Sequence, residues 1–185
     1  LGGERFSKAY ISQIERGTTR PTPATTDWLA ARLGVDPSFL ASGVSSEELT
    51  RVEAELERAE ALSEAHRYDE AIAAFRTART GGRALAASVL EQRALVGEGW
   101  ALQEAGRVRE SLELLQRARE LSEQARFSDL DRAVVVFRLA VCRYKLSSIQ
   151  TAIGLFDQAL ELAERSGLPC DALRSDVLQW RSRCH

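Results

Sequence analysis

A small, a large and a small residue recur at one spacing through the second half of the chain. Ala71-x-x-x-Phe75-x-x-Ala78 returns as Ser111-x-x-x-Leu115-x-x-Ala118 and again as Ala152-x-x-x-Phe156-x-x-Ala159, at offsets of 40 and 41 residues. Steps of four and three put each trio on one side of a helix, and the small residues leave gaps where a neighbouring helix can come close. A turn signal precedes each trio: His66-Arg67-Tyr68, Ala105-Gly106-Arg107 and Leu146-Ser147-Ser148. Another amphipathic segment stands before each turn. The unit is therefore a helical hairpin, which cannot bury its apolar face alone and stacks on the next. The pattern predicts helices at 47–64, 68–80, 84–105, 108–125, 129–146, 149–165 and 171–184, punctuated by Gly81-Gly82 and by Ser166-Gly167-Leu168-Pro169. The last segment, around Trp180, reads as the first helix of a fourth unit. A coiled coil over 47–64 does not account for the 40-residue recurrence.

These trios resemble the tetratricopeptide repeat, whose unit of about 34 residues also sets small against large positions on paired helices. The repeats here are extended versions of it. Ala59, Gly99 and Ala140 take the small positions of the first helices, while Glu98 and Arg143 fall where that family is usually apolar. The resemblance implies a concave surface lined by the first helices. In this register Arg93, Val96, Trp100 and Gln103 face inward in repeat two, and Phe137, Arg138, Val141, Tyr144 and Lys145 do so in repeat three. Aromatics beside Arg and Lys suit an acidic or carboxylate-bearing peptide. The alternative is that Trp100 and Phe137 simply pack between helices.

A different pattern opens the chain. Ser7-Lys8-Ala9-Tyr10-Ile11-Ser12-Gln13-Ile14-Glu15-Arg16-Gly17 has a capping serine, an inward side of Tyr10, Ile11 and Ile14, and a closing glycine. Thr18-Thr19-Arg20-Pro21 follows as a short basic loop. Thr22-Pro23 starts a second helix, with Trp28, Leu29 and Leu33 on its apolar side, and Asp36-Pro37 restarts a short one carrying Phe39 and Leu40. Residues 6–40 resemble the second half of a lambda-repressor-like (Cro/XRE-family) helix-turn-helix domain. The shared signature is Ser-x-x-Tyr-Ile-Ser-x-Ile-Glu-x-Gly, then the basic loop, then Leu-Ala-x-x-Leu-Gly-Val.

That resemblance implies a bacterial-type DNA-binding transcription regulator. Lys8, Ala9 and Gln13 would reach base edges, while Ser7, Arg16, Thr18, Thr19 and Arg20 would hold phosphates. One half-site is small, so a homodimer on a two-fold site is expected. The first two helices of such a domain are largely missing. Leu1-Gly2-Gly3 reads as the end of the second helix and the turn, and a basic partner for Glu15 on the first helix is absent. The C-terminal end lacks a partner for its last helix, so the chain is expected to be a piece of a longer protein.

The expected architecture is all-α: a partial helix-turn-helix domain over 1–41, a linker over 42–46, and an α-solenoid of about three extended tetratricopeptide-like hairpins over 47–185. Charge sharpens this division. The chain of 185 residues carries a net −2, but residues 1–20 hold four basic against two acidic groups and residues 45–185 hold 20 against 23. Only the first stretch favours nucleic acid. Cys142, Cys170 and Cys184 lack metal-ligand spacing and read as reduced cysteines of a cytoplasmic protein. No apolar run is long enough to span a membrane. His66 and His185 bring no nucleophile or metal set with them, and no glycine-rich phosphate loop is present. No enzyme, cofactor or metal is expected. The expected partners are DNA, in the full-length protein, and a peptide or protein effector. The rival reading is a repeat adaptor whose helix-turn-helix remnant does not touch DNA.

Overall fold

The computed structural model describes residues 6–35, Pro37, Leu40 and 45–184. Among these residues the chain is all-helical, without strands. It forms two compact units, Leu1–Leu49 and Thr50–His185. The short helix expected after Asp36 and residues 42–44 of the expected linker lie outside the described residues.

In the first unit, α1 spans Lys8–Glu15 and α2 spans Pro23–Leu33. Both have the ends their sequence predicts. The Ser7 hydroxyl accepts from the Tyr10 amide at 3.2 Å, and Thr22 does the same for Thr25 at 3.3 Å with Pro23 as the first helical residue. Gly17 takes the left-handed conformation after α1, at φ +70°. Its amide and that of Thr18 return to the carbonyls of Ile14 and Gln13. Ile11, Leu29 and Ala30 are buried, and the Phe6 ring meets Trp28 edge-on at 5.2 Å.

The second helical series runs α3 Ser46–Glu64, α4 Tyr68–Ala84, α5 Ser88–Glu104, α6 Val108–Ser122, α7 Asp129–Lys145, α8 Ile149–Ser166 and α9 Asp171–Ser182. Ser45 and Glu48 cap α3 reciprocally, and Ser128 and Asp131 do so for α7. Three hairpins result: α3–α4, α5–α6 and α7–α8, with α9 closing the last core. The recurring trios are the deepest part of it. All nine residues, from Ala71 to Ala159, are at most 1% exposed. One apolar cluster joins α3, α4 and α5, another joins α5, α6 and α7, and a third joins α7, α8 and α9.

Gly81 and Gly82 do not break α4 as expected; both lie inside it. Their role is close approach. A Cβ on Gly82 would sit 2.9 Å from the backbone nitrogen of Glu91 in α5, and one on Gly81 would sit 2.7 Å from the Val52 side chain in α3. The turn falls later, at Ala86. It belongs to a series with a left-handed residue at the same place: His66, Ala86, Gly106 and Ser147, at φ between +51° and +79°. At each, the next amide reaches the carbonyl five residues back: Arg67 to Leu62, Ala87 to Gly82, Arg107 to Leu102 and Ser148 to Arg143. This is the Schellman closure of a helix.

Two polar features hold the hairpins in register. Glu98, at an expected apolar position, is 1% exposed and takes Nε of Arg79 at 2.9 Å and Nε of Arg76 at 3.2 Å, both from α4. At the next junction the Ser111 hydroxyl donates to the Gly99 carbonyl at 2.6 Å. With its one proton used there, it accepts from the Cys142 thiol, whose sulfur accepts from Gln103 Nε2 at 2.8 Å. Burial raises the Cys142 pKa, which keeps the thiol protonated for that bond.

The turns and the glycines predict opposite responses to a single methyl group. Ala86→Gly relieves a left-handed alanine and is expected to add about 1 kcal/mol of stability. Gly82→Ala pushes into the backbone of α5 and is expected to remove about 1–3 kcal/mol. Urea unfolding of the two variants reads the sign of each.

A second prediction concerns acid. Arg67 forks onto Glu70 at 2.6 and 2.7 Å, and Arg107 onto Glu110 at 2.7 and 2.8 Å, at the starts of α4 and α6. The arginine hydrogen bonds hold both carboxyls below the usual carboxylate range. A lowered folded pKa gives stability that is complete above the unfolded value, about 4.3, and lost as pH falls through the folded one. Acid unfolding followed by helical circular dichroism should be less steep below about pH 4 in the Arg67→Gln, Arg107→Gln double variant. Identical acid limbs would show that the forks contribute nothing.

Candidate partner-binding cleft

The first helices of the three hairpins line one cleft of about 450 Å³. Its floor is α5, through Val89, Gln92, Arg93, Val96, Gly97 and Trp100. One wall is the end of α3, through Glu60, Ser63 and Glu64; the other is the start of α7, through Asp131 and Val134. Phe75 of α4 reaches the floor from behind, because Gly97 has no side chain and its ring lies against the space a Cβ would fill. The size is that of a cleft which encloses a small ligand or a few side chains.

The polar groups of the cleft are unevenly engaged. Arg93 forks onto Glu60 with Nε–Oε1 2.7 Å and Nη2–Oε2 2.6 Å, and that hydrogen bond raises its pKa. Asp131 uses Oδ2 to cap its own helix. Glu64 has no ion-pair partner among the described residues. Ser63 is 3% exposed, and its hydroxyl has no hydrogen-bond partner. Gln92 is 8% exposed, and its amide makes no bond to the protein. Buried polar groups ordinarily find partners, so the enclosed and unanswered Ser63 hydroxyl is unusual.

The groove residues read from the sequence divide into two groups. Arg93, Val96 and Trp100 line the cleft. Phe137 and Val141 do not: each is 2% exposed and packs in the core, Phe137 at 6.2 Å from Phe156. Gln103 is also interior, tying α5 to α7 through Cys142 and the Arg138 carbonyl. The expected register put these three on the surface. Phe137 and Val141 face the other way, into the α7–α8–α9 core, and only Gln103 enters the α5–α7 contact. Tyr144 meets Trp180 of α9 edge-on at 5.6 Å, and Lys145 bonds to Glu104 and the Gln103 carbonyl. Arg138 lies over the Trp100 ring at 4.8 Å and the Phe137 ring at 5.2 Å. Burial lowers its pKa, against the opposing pull of Asp176 and Glu104.

Glu60, Ser63, Glu64, Gln92, Asp131 and Val134 were not singled out from the sequence. One signal for the acidic wall was present. Glu53, Glu57, Glu60 and Glu64 recur at helical spacing along one side of α3. Such a stripe resembles an ordinary solvated face, and only the packing of α5 against α3 distinguishes it.

The residues expected at DNA are arranged around α1 and the following loop. Ala9, Gln13, Arg16, Thr18 and Arg20 are exposed, Thr19 is half-buried, and Ser7 is exposed while capping the helix. The side chain of Lys8 lies outside the described residues. Gln13 is tethered: its Oε1 accepts from Thr19 at 3.4 Å and its carbonyl from Thr18 at 3.0 Å. Ile11 is buried and Ile14 half-buried, as an inward side requires.

Stacked hairpins of this kind, with small residues at each helix contact, define a tetratricopeptide-like α-solenoid. The solved TPR domain of Arabidopsis FLU has this fold, with a TM-score of 0.58 over 64% of this chain and 98% of that one, at 17% identity. The likeness is one of fold. No family model matches the chain, and no curated protein does. No helix among the described residues is long and apolar enough to cross a membrane, and no group of side chains there could hold a metal ion.

The division of the groove residues is testable by stability. Phe137→Ala is expected to cost about 3–5 kcal/mol, as for a buried aromatic. Val89→Ser, at a cleft residue that is 55% exposed, is expected to stay within about 0.5 kcal/mol. Thermal unfolding of both variants checks the contrast, and similar losses would mean that the cleft wall is part of the core.

Proposed function

We propose that the chain is a protein-interaction module whose repeat array captures a segment of a partner in the cleft between α3, α5 and α7. The observation that carries this reading is Ser63: a side chain 3% exposed that lines an apolar cleft with its hydroxyl enclosed and without a partner. Such a hydroxyl loses its hydrogen bonds with water on folding and regains them only from a ligand. The tetratricopeptide-like fold is compatible with this role and does not by itself establish it. Panning the full chain with displayed random octapeptides tests the reading. Retained peptides should bind at least about tenfold more weakly to Trp100→Ala, the loss of one well-packed aromatic contact. Peptides indifferent to Trp100→Ala and Val89→Ser in folded variants would overturn it.

A second reading adds DNA. It rests on α1, where a capped helix presents Ala9, Gln13 and Arg16 outward and is followed by exposed Arg20. In that reading the chain is part of a dimeric transcription regulator, and the cleft is its sensor. Fluorescence anisotropy with its own promoter DNA, on a chain that includes the native upstream sequence, separates the two. Arg20→Ala should flatten the salt dependence of binding by about one ion. Negligible binding at low salt leaves the interaction module alone.

A further inference from the structure

The charges around the cleft reverse the ligand expected from the sequence. Of the cations that suggested an acidic partner, Arg93 is paired with Glu60 and Lys145 with Glu104, while Arg138, stacked on two aromatic rings with its Nε unanswered, does not line the cleft. The wall that remains is acidic. Three carboxylates line the cleft against one guanidinium, and Glu60 neutralises that guanidinium. Glu64 and the second oxygen of Asp131 are left on opposite sides of the opening. Glu53 and Glu57 add negative charge along the same side of α3, close enough to act on Arg93.

The uncharged groups of the cleft suit a peptide. A serine hydroxyl offers one donor and two acceptor positions, and a glutamine amide offers both kinds. Ser63 on α3 and Gln92 on α5 can therefore answer the N–H and C=O groups of an extended main chain. Trp100, Val96 and Val134 supply apolar surface beside them.

We infer that the cleft binds a basic peptide segment: its main chain bonded to Ser63 and Gln92, a lysine or arginine directed to Glu64 and Asp131, and an apolar side chain against Trp100. This rests on the proposed partner-binding role of the cleft and specifies the partner's chemistry. Opposite charge across the opening steers encounter and excludes acidic segments.

Random octapeptides panned on the full chain, and on the folded Glu64→Lys variant, provide the test. Among peptides that need Trp100, lysine and arginine should be enriched at least about twofold over the input, and the enrichment should disappear with Glu64→Lys. The best synthetic binder should weaken at least about fivefold when salt rises from about 50 to about 500 mM. Ser63→Ala gives a second readout. Removing an unanswered hydroxyl should raise the melting temperature of the free chain while weakening the peptide at least about threefold. Loss of both together would mark a merely structural serine and remove it from the site. Trp100-dependent peptides that are neutral or acidic overturn the inference and leave the cleft's role standing. An absence of Trp100-dependent peptides removes both.

Discussion

Everything in the repeat array depends on how closely its helices approach. Between α4 and α5 the gap at Gly82 is so narrow that a methyl group would meet a backbone nitrogen. Between α5 and α6 the same holds for Gly99, where a Cβ would lie 2.8 Å from Cγ of Leu115. Contacts this close leave few alternative sliding positions, because a shift of one turn would bring larger side chains into the gap. The buried polar groups add direction to this packing. Glu98 must meet its two arginines, and Ser111, Cys142 and Gln103 must form one chain of donors and acceptors. Each arrangement forms at a single register, and the second does so while leaving Oε1 of Gln103 without a partner.

The recurrence of small and large residues was enough to read the hairpins, because a close helix contact is a local demand on side-chain size. All seven helices of the array lie within a few residues of their expected bounds. The largest difference is at Gly81 and Gly82. In a sequence, a glycine pair looks the same whether it ends a helix or admits a neighbour; which role applies depends on what lies across from it. Ala86 shows the reverse. Nothing about an alanine announces a left-handed turn, and the geometry is imposed by the hairpins on either side.

The candidate site was less legible than the fold. A lining residue is defined by which neighbouring helices cover its side of the helix, and those contacts join residues far apart in the chain. Hence Trp100 and Phe137, which look alike in their repeats, part company: one borders the cleft and the other fills the core. Charges mislead for a related reason. Arg93 and Lys145 advertise a positive groove until their carboxylate partners on adjacent helices are known. At the cleft, what the sequence presents as free cations is in the fold a closed pair, Arg93 with Glu60, with two further carboxylates beside it.

The floor of the cleft is set from behind the helices that line it. Phe75 belongs to α4, behind the helices that line the opening, and it reaches the floor only because Gly97 stands aside. The depth of the cleft is thus decided within the hydrophobic interior. A change at residue 75 or 97 would reshape what the cleft admits without altering any exposed group. Cleft shape and stability are tied together at this point, whereas the charged rim can change while the floor stays bound to the fold.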